Sequence, residues 1–208
     1  MPEGPEVWIL SKAINQFYGN ERTLSYGKHL FILDKNENWS FGLTGKVDLD
    51  INNHNELVKI ETGWINGDQT QYEQLDNEIH KLGIDFMTAD DNKIREEVDK
   101  WIRSKKKLAA LILDQTKISG IGVAWGSEIL FQARLRPDMK TCDQVLIHLA
   151  DSILSIRQQI KDIYEKELKE KGAEALIRNW FDQLYKIRNM NIYKKGSKLN
   201  VLGRSWWV

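Results

Sequence analysis

The first residues of the chain, Met1-Pro2-Glu3-Gly4-Pro5-Glu6-Val7, combine a nucleophile with an acid–base group. Removal of Met1 would leave Pro2 with a free secondary amine, whose pKa of about 8 keeps part of it unprotonated at neutral pH. A secondary amine that attacks an aldehyde-like carbon forms an iminium, and the adjacent carboxyl group of Glu3 can serve as its acid or base. The same residues are also typical of an ordinary helix start, with Pro5 and Glu6 in the first turn. The stretch alone leaves both interpretations open.

The elements that must position these groups begin with a helix. Apolar residues recur at three- and four-residue spacing over residues 5–18, and Gly19 marks the end of the helix. Strands are predicted at residues 30–33, 39–47 and 57–65, with a turn at residues 34–38. Helical patterns follow at residues 72–82 and 90–101, the second with Ile94, Val98 and Trp101 on one face.

The C-terminal part of the sequence is predicted to be helical and to end in a hairpin. Residues 143–170 form a long amphipathic pattern that ends at Gly172, and residues 173–190 form another. The tail then predicts two strands, Ile192-Tyr193-Lys194-Lys195 and Leu199-Asn200-Val201-Leu202, separated by a turn at Gly196-Ser197.

Charge is distributed unevenly along a chain whose formal net charge is zero. Residues 1–100 carry 10 Lys and Arg against 19 Asp and Glu, whereas residues 101–208 carry 20 against 11. A basic half favours a polyanionic partner, most simply nucleic acid, although a solvated basic face would give the same count.

Composition indicates a globular protein in a reducing compartment. The chain has 208 residues, of which 41% are hydrophobic and only three are proline. Cys142 is the single cysteine, which excludes an intramolecular disulfide and a cysteine-based zinc site. We find no apolar run of the roughly 20 residues that span a membrane, and no signal-peptide core. We therefore expect an intracellular protein, cytoplasmic or nuclear.

Residues 111–137 contain the second stretch that suggests a function. Two helical segments flank Gly120-Ile121-Gly122, and a Gly-X-Gly turn lets the backbone approach a phosphate closely, with the N-terminus of the second helix directed at it. Leu-Asp-Gln precedes the glycines, Glu-Ile-Leu-Phe follows them, and Pro137 closes the stretch.

Together, Met-Pro-Glu-Gly-Pro-Glu and the 27-residue stretch resemble the formamidopyrimidine-DNA glycosylase/endonuclease VIII family. The resemblance implies an α+β fold: a small N-terminal β-sandwich with a leading helix, then a helix–two-turn–helix domain that ends in a zincless β-hairpin finger. We expect these parts at residues 1–88, 89–190 and 191–208. Gly4 resembles the endonuclease VIII branch.

The same resemblance assigns roles to individual residues. Pro2, Glu3 and Lys28 would be catalytic, with Pro2 as nucleophile and Lys28 on a phosphate. A wider set would bind DNA: Glu6, Leu43, Gly120, Gly122 and Arg204. In this set Leu43, from the stretch Phe41-Gly42-Leu43-Thr44-Gly45, would fill the gap in the base stack that the flipped base leaves. Arg204 would hold the phosphates on either side of that nucleotide.

Three departures from the family pattern stand out. Val123 occupies the position after Gly-Ile-Gly where the family has an asparagine that reaches the DNA backbone. The N-terminal half is shorter, and Gly203-Arg204-Ser205-Trp206 matches the family's finger without its cysteines.

The resemblance implies a bifunctional DNA glycosylase and abasic-site lyase, a monomer that needs no cofactor or metal. It would excise oxidised bases, pyrimidines by the Gly4 resemblance, from damaged duplex or single-stranded DNA. The alternatives are a non-catalytic DNA-binding or scaffold protein on the same fold, and an RNA- or ribosome-associated protein.

Overall fold

A computed structural model describes residues 3–19, 21, 23–33, 39–43, 79–178 and 190–208. Helix α1 runs from Gly4 to Tyr18 and ends at Gly19, whose φ of 69° is the left-handed conformation that glycine adopts readily. This confirms the predicted helix and its end. The apolar side of α1 is buried, and Trp8 packs edge-to-face against Tyr164 of the C-terminal half at 5.3 Å between ring centroids.

The N-terminal sheet is antiparallel and has the order β1-β2-β3 within the described residues. Its strands are β1 Thr23–Tyr26, β2 His29–Leu33 and β3 Trp39–Leu43. Phe31 of β2 lies opposite Leu24 and Phe41 and is fully buried, which explains the apolar run of the sequence. The predicted strand at 57–65, the end of the strand at 39–47, the turn at 34–38 and most of the helix at 72–82 lie outside the described residues.

The C-terminal half is helical. Its elements are α2 Asp91–Asp99, a 3-10 turn Lys100–Arg103, α3 Leu108–Ile112, α4 Val123–Gln132 and α5 Asp143–Arg178. Ile94, Val98 and Trp101 are all buried, as the spacing predicts. Helix α5 is interrupted at the predicted Gly172, where φ is 80° and ψ is 164°, before a last helical segment. No helix in the described ranges is both long and apolar enough to cross a membrane.

A short parallel sheet joins the two halves. Strand β4, Ile84–Asp85, pairs with β5, Ile118–Ser119, which lies in the turn between α3 and α4. In addition, the buried Arg157 of α5 donates to the carbonyl of Ala89 and pairs with Asp91. The segment that connects the two halves is therefore fixed both by the pairing of β4 with β5 and by the contacts of Arg157. The predicted domain boundaries at 88 and 190 stay predictions.

The tail forms a hairpin, in which the predicted strand at 199–202 corresponds to the first strand but the other predicted strand and the turn at 196–197 do not occur. Its strands are β6 Lys198–Val201 and β7 Arg204–Trp207, and Leu202 and Gly203 between them have positive φ values of 55° and 70°. Positive φ at both central residues is the feature of a two-residue type I′ turn. The predicted strand at 192–195 is wrong, because the Lys195 N–H donates to the carbonyl of Ile192 in a turn.

Candidate active site

A cavity of about 550 Å³ lies where both ends of the chain meet the centre of the sequence. Its wall is formed by the residue before α1, the turn between β1 and β2, the start of α4, and the C-terminal hairpin. The predicted site residues Glu3, Lys28 and Arg204 all line it, although they are far apart in the sequence. The fold therefore brings together three side chains that the resemblance selected.

Glu3 lies in the wall of this cavity and is held by the N-terminus of α4. One carboxylate oxygen accepts the N–H groups of Gly122 and Trp125 at 2.9 and 3.0 Å, and the other accepts that of Ala124 at 2.9 Å. Burial raises the pKa of Glu3, while the three N–H groups and the charge of Lys28 oppose that rise. The carboxylate thus occupies the helix N-terminus that the sequence had assigned to a phosphate.

Glycines allow this close contact. A Cβ atom on Gly122 would lie 2.2 Å from the carboxyl carbon of Glu3, and one on Gly4 would lie 2.8 Å from the Cα of Gly120. The Gly4 N–H donates to the Gly120 carbonyl at 2.7 Å, and the Gly120 N–H donates to Gln115 at 2.9 Å. The N–H groups of Gly120 and Gly122 already donate hydrogen bonds within the protein. The predicted contact of these two glycines with DNA stays a prediction, and it would have to use atoms of the glycines other than these N–H groups.

Glu6 supports the site without facing it. Its side chain is fully buried, accepts the N–H of Glu3 at 2.9 Å and accepts the indole N–H of Trp125 at 3.0 Å. The assignment of Glu6 to DNA binding is therefore wrong, because the side chain is inaccessible. These two hydrogen bonds fix the N-terminal end of α1.

Lys28 lies in the turn between β1 and β2. The preceding residue, Gly27, has a φ of 57°, and its N–H donates to the buried carboxylate of Asp85. Burial lowers the pKa of Lys28, while the carboxylates of Glu3 and Glu6 raise it and the nearby charge of Arg204 lowers it. The Glu3 carboxylate and the Arg204 guanidinium are therefore close enough to Lys28 for their charges to change its pKa.

The hairpin contributes a further part of the cavity wall. Arg204 is exposed at the start of β7, and Trp207 at its end lies edge-to-face with Tyr193 at 6.0 Å. The N–H of Trp207 donates to the hydroxyl of the buried Ser127 on α4 at 3.2 Å. The hairpin is thus attached to the helix whose N-terminus holds Glu3.

For two of the predicted site residues, Pro2 and Leu43, the structure gives no side-chain position. Pro2 lies outside the described residues, although its neighbour Glu3 lies in the cavity wall. Leu43 is the last residue of β3, and its predicted insertion into the base stack stays a prediction.

Sequence reasoning missed three residues that hold the site together. Glu128 of α4 accepts the backbone N–H groups of Asn191, Ile192 and Tyr193, and so fixes the chain before the hairpin. Asp85 holds the Lys28 turn, and Gln115 bridges the Gly120 N–H and the Ile121 carbonyl. Both Glu128 and Gln115 lie in the stretch of residues 111–137. For the fully buried Glu128 the available signal is a carboxylate in a largely apolar helix, whereas Gln115 carries no such signal.

Comparison with known proteins gives similarity in part of the sequence and in most of the fold. No family model matches the chain. Two curated relatives named formamidopyrimidine-DNA glycosylase are similar to part of it. The protein from Mycoplasma pneumoniae is 34% identical over 96 residues, which are 46% of this chain and 33% of the relative. The protein from Mycoplasma genitalium is 39% identical over 78 residues, 36% of this chain and 27% of the relative. The matches thus span about a third of these relatives.

Solved structures with the same fold cover almost the whole chain. The MutM (Fpg) protein of Thermus thermophilus aligns with a TM-score of 0.65 and 16% identity over 99% of this chain and 96% of its own. The Lactococcus lactis Fpg (MutM) in complex with FAPY-dG containing DNA aligns with a TM-score of 0.62 and 17% identity over 98% and 96%. At this identity the likeness shows the α+β fold, as predicted.

The resemblance to the endonuclease VIII branch, which rests on Gly4, stays a prediction. The close packing of Gly4 against Gly120 is by itself a structural reason for a glycine at position 4. The chain is thus similar to two formamidopyrimidine-DNA glycosylases over part of its sequence, and it shares the fold of the MutM (Fpg) structures over nearly all of its length.

Proposed function

We propose that the protein is a DNA glycosylase with abasic-site lyase activity that acts in base-excision repair. The observation that supports this most is the convergence of Glu3, Lys28 and Arg204 on one cavity. The relatives with similar sequences are named as glycosylases of this kind, and several structures with the same fold contain DNA.

The chemistry begins at Pro2. After removal of Met1, the Pro2 nitrogen attacks C1′ of the damaged nucleotide with its lone pair, and the bond from C1′ to the base breaks. The base leaves with the electron pair and gains a proton, while the Pro2 nitrogen loses the proton it carried. Protonation and opening of the sugar ring at its oxygen then give an iminium between Pro2 and C1′. The iminium acidifies the C2′ proton, whose loss expels the 3′ phosphate and cleaves the strand.

Glu3 is the proton-transfer group of this scheme. It follows Pro2 directly, lies in the cavity wall and is held rigidly by three N–H groups. These donors favour the carboxylate, whereas burial favours the neutral acid. Burial is the stronger effect and raises the pKa of Glu3, so the neutral acid can donate a proton and the carboxylate can take it back.

Lys28 and Arg204 bind the phosphates of the damaged strand. A planar guanidinium suits a phosphate because it donates two parallel hydrogen bonds, and a lysine beside it adds a second positive charge. Oxidised pyrimidines are the proposed lesions, and this preference rests on the resemblance of Gly4 to the endonuclease VIII branch.

Borohydride trapping on an oligonucleotide with an abasic site tests the proposal. We expect a covalent protein–DNA adduct that is lost in Pro2→Gly and in a protein whose N-terminus carries an extension, because either change removes the secondary amine. Mass spectrometry must confirm removal of Met1 in the parent protein. No adduct from the processed parent, or an adduct undiminished in Pro2→Gly, contradicts the role of Pro2.

The same assay separates the proposal from a non-catalytic DNA-binding protein. Val123 favours that alternative, because a valine side chain at the cavity wall offers no hydrogen-bond donor. Salt-sensitive DNA binding without trapping or strand cleavage would select it. Preferential binding of RNA over lesion-containing DNA would select a third class, an RNA-associated protein.

A further inference from the structure

The hairpin brings a third cation to the cavity that the roles above do not use. Lys198 is the first residue of β6, is exposed, and lines the cavity with Lys28 and Arg204. Among the described residues that line this cavity, Glu3 is the only acidic one, and three N–H groups already solvate its carboxylate. The cavity therefore carries an excess of positive charge, which suits a ligand with more than one negative charge.

The ammonium group of Lys198 has a defined place. Lys198 is the cross-strand partner of Trp207, and its Nζ lies 5.0 Å from the centre of the indole ring. Trp207 is itself fixed by the Ser127 hydroxyl and by the ring of Tyr193. A cation held over an aromatic ring loses less conformational freedom on binding than a free lysine does.

Lys198 also lies on the cavity that Val123 lines. Val123 is the first residue of α4, and its side chain can donate no hydrogen bond to an anion there. A cation from the hairpin can supply an interaction with an anion in the same cavity. The charge of Arg204 already acts on Lys28, whereas Lys198 is held separately on Trp207.

We propose that Lys198 binds a second phosphate of the DNA strand, next to the phosphate held by Lys28 and Arg204, and so replaces the contact that Val123 cannot make. This inference rests on the proposed function, since it takes the ligand to be a DNA strand. It assigns Lys198 to the positioning of the strand and gives it no part in bond breaking.

The salt dependence of DNA binding tests the inference. The probe is a fluorescent duplex with a tetrahydrofuran abasic-site analogue, which cannot form the iminium. Each phosphate contact contributes about 0.9 to the slope of log K against log salt. We expect Lys198→Met to lower the magnitude of that slope by about 0.9 and Lys198→Arg to preserve it. The methionine keeps an unbranched side chain beside Trp207, and its melting temperature should equal that of the parent.

A matched control is Lys169→Met, because Lys169 is an exposed lysine of α5 that does not line the cavity. Its slope should equal that of the parent. A slope of Lys198→Met equal to that of the parent overturns the inference and leaves the proposed function intact. A parent protein that does not bind the probe overturns both.

A second variant tests the link to Val123. Val123→Asn adds a donor without a charge, so in the Lys198→Met protein it should recover part of the lost affinity while the slope stays reduced. An affinity of the double variant no higher than that of Lys198→Met alone would overturn the claim that Lys198 replaces this contact.

Discussion

The carboxylate of Glu3 accepts a hydrogen bond of 3.0 Å from the backbone N–H of Trp125, a residue 122 positions away in the sequence. Trp125 also donates its indole N–H to Glu6, so one residue of α4 fixes both acidic groups at the start of α1. The proposed acid–base group is therefore positioned by the helix–two-turn–helix element, and the stability of this contact is linked to activity.

Glu3→Gln should lower both stability and catalysis. The amide has one acceptor oxygen and an NH2 group that would face a backbone N–H, so one buried donor loses its partner, at a cost of about 1–3 kcal/mol. Urea unfolding measures that loss, and cleavage of an abasic-site oligonucleotide measures activity. The exposed Glu165 of α5 offers the control Glu165→Gln, which should change neither quantity. Normal cleavage by Glu3→Gln would remove Glu3 from the mechanism.

Gly122→Ala should displace the Glu3 carboxylate. The new Cβ would lie 2.2 Å from the carboxyl carbon, so the carboxylate must leave the N-terminus of α4. We expect a loss of stability of about 1–3 kcal/mol from the broken N–H contacts, together with a loss of strand cleavage.

Gly172→Ala is the control for Gly122→Ala. Its φ of 80° makes alanine strained, but a Cβ there meets no atom within 4 Å. That variant should lose stability of about 1–3 kcal/mol and keep its activity. Full activity of Gly122→Ala would show that the contact between Glu3 and α4 is dispensable.

As the pH is raised, DNA affinity should begin to fall at a lower pH than it would if Lys28 had the pKa of an exposed lysine. Phosphate binding requires protonated Lys28, and burial lowers its pKa from the ordinary value of 10.5. As the pH rises through that lowered pKa, the positive charge is lost and binding weakens. Titration of the dissociation constant between about pH 7 and about pH 10 should show this loss. Lys28→Arg, which stays charged, should flatten the profile. Equal profiles for the two proteins would contradict the role of Lys28.

Glu128→Ala should loosen the hairpin from the rest of the molecule. The fully buried carboxylate accepts the N–H groups of Asn191, Ile192 and Tyr193, and removing it leaves these donors unsatisfied at a cost of about 3 kcal/mol. Hydrogen exchange at Ile192 and Tyr193 should accelerate more than exchange in α2. Unchanged exchange at both residues would show that the carboxylate does not hold this segment.

Leu202→Asn should stabilise the protein. Leu202 has a φ of 55° and is 60% exposed, so the leucine gains little from burial and is strained at the hairpin turn. Asparagine tolerates this conformation, and Asn-Gly is the preferred pair for a type I′ turn. We expect a gain of about 0.5–1 kcal/mol in thermal unfolding. A loss of stability would mean that the Leu202 side chain packs in a way its exposure does not indicate.

Local patterns explain much of what the sequence predicts correctly. The end of α1 at Gly19, the buried face of Ile94, Val98 and Trp101, and the interruption of α5 at Gly172 all follow from residue spacing and from the conformational range of glycine. The wrong prediction of a strand at residues 192–195 arises from a long-range contact, which local patterns do not reveal. Those residues have the composition of a strand, but the distant carboxylate of Glu128 takes the N–H groups of Ile192 and Tyr193.

The sequence by itself selected Glu3, Lys28 and Arg204, because residue type and motif order are local properties of the chain. Only the tertiary structure decided that Glu6 is buried, that the N-terminus of α4 holds Glu3, and that Lys198 lines the same cavity. The physical reason is that buried N–H groups and carboxylates must find partners, and those partners are set by packing between segments more than 100 residues apart.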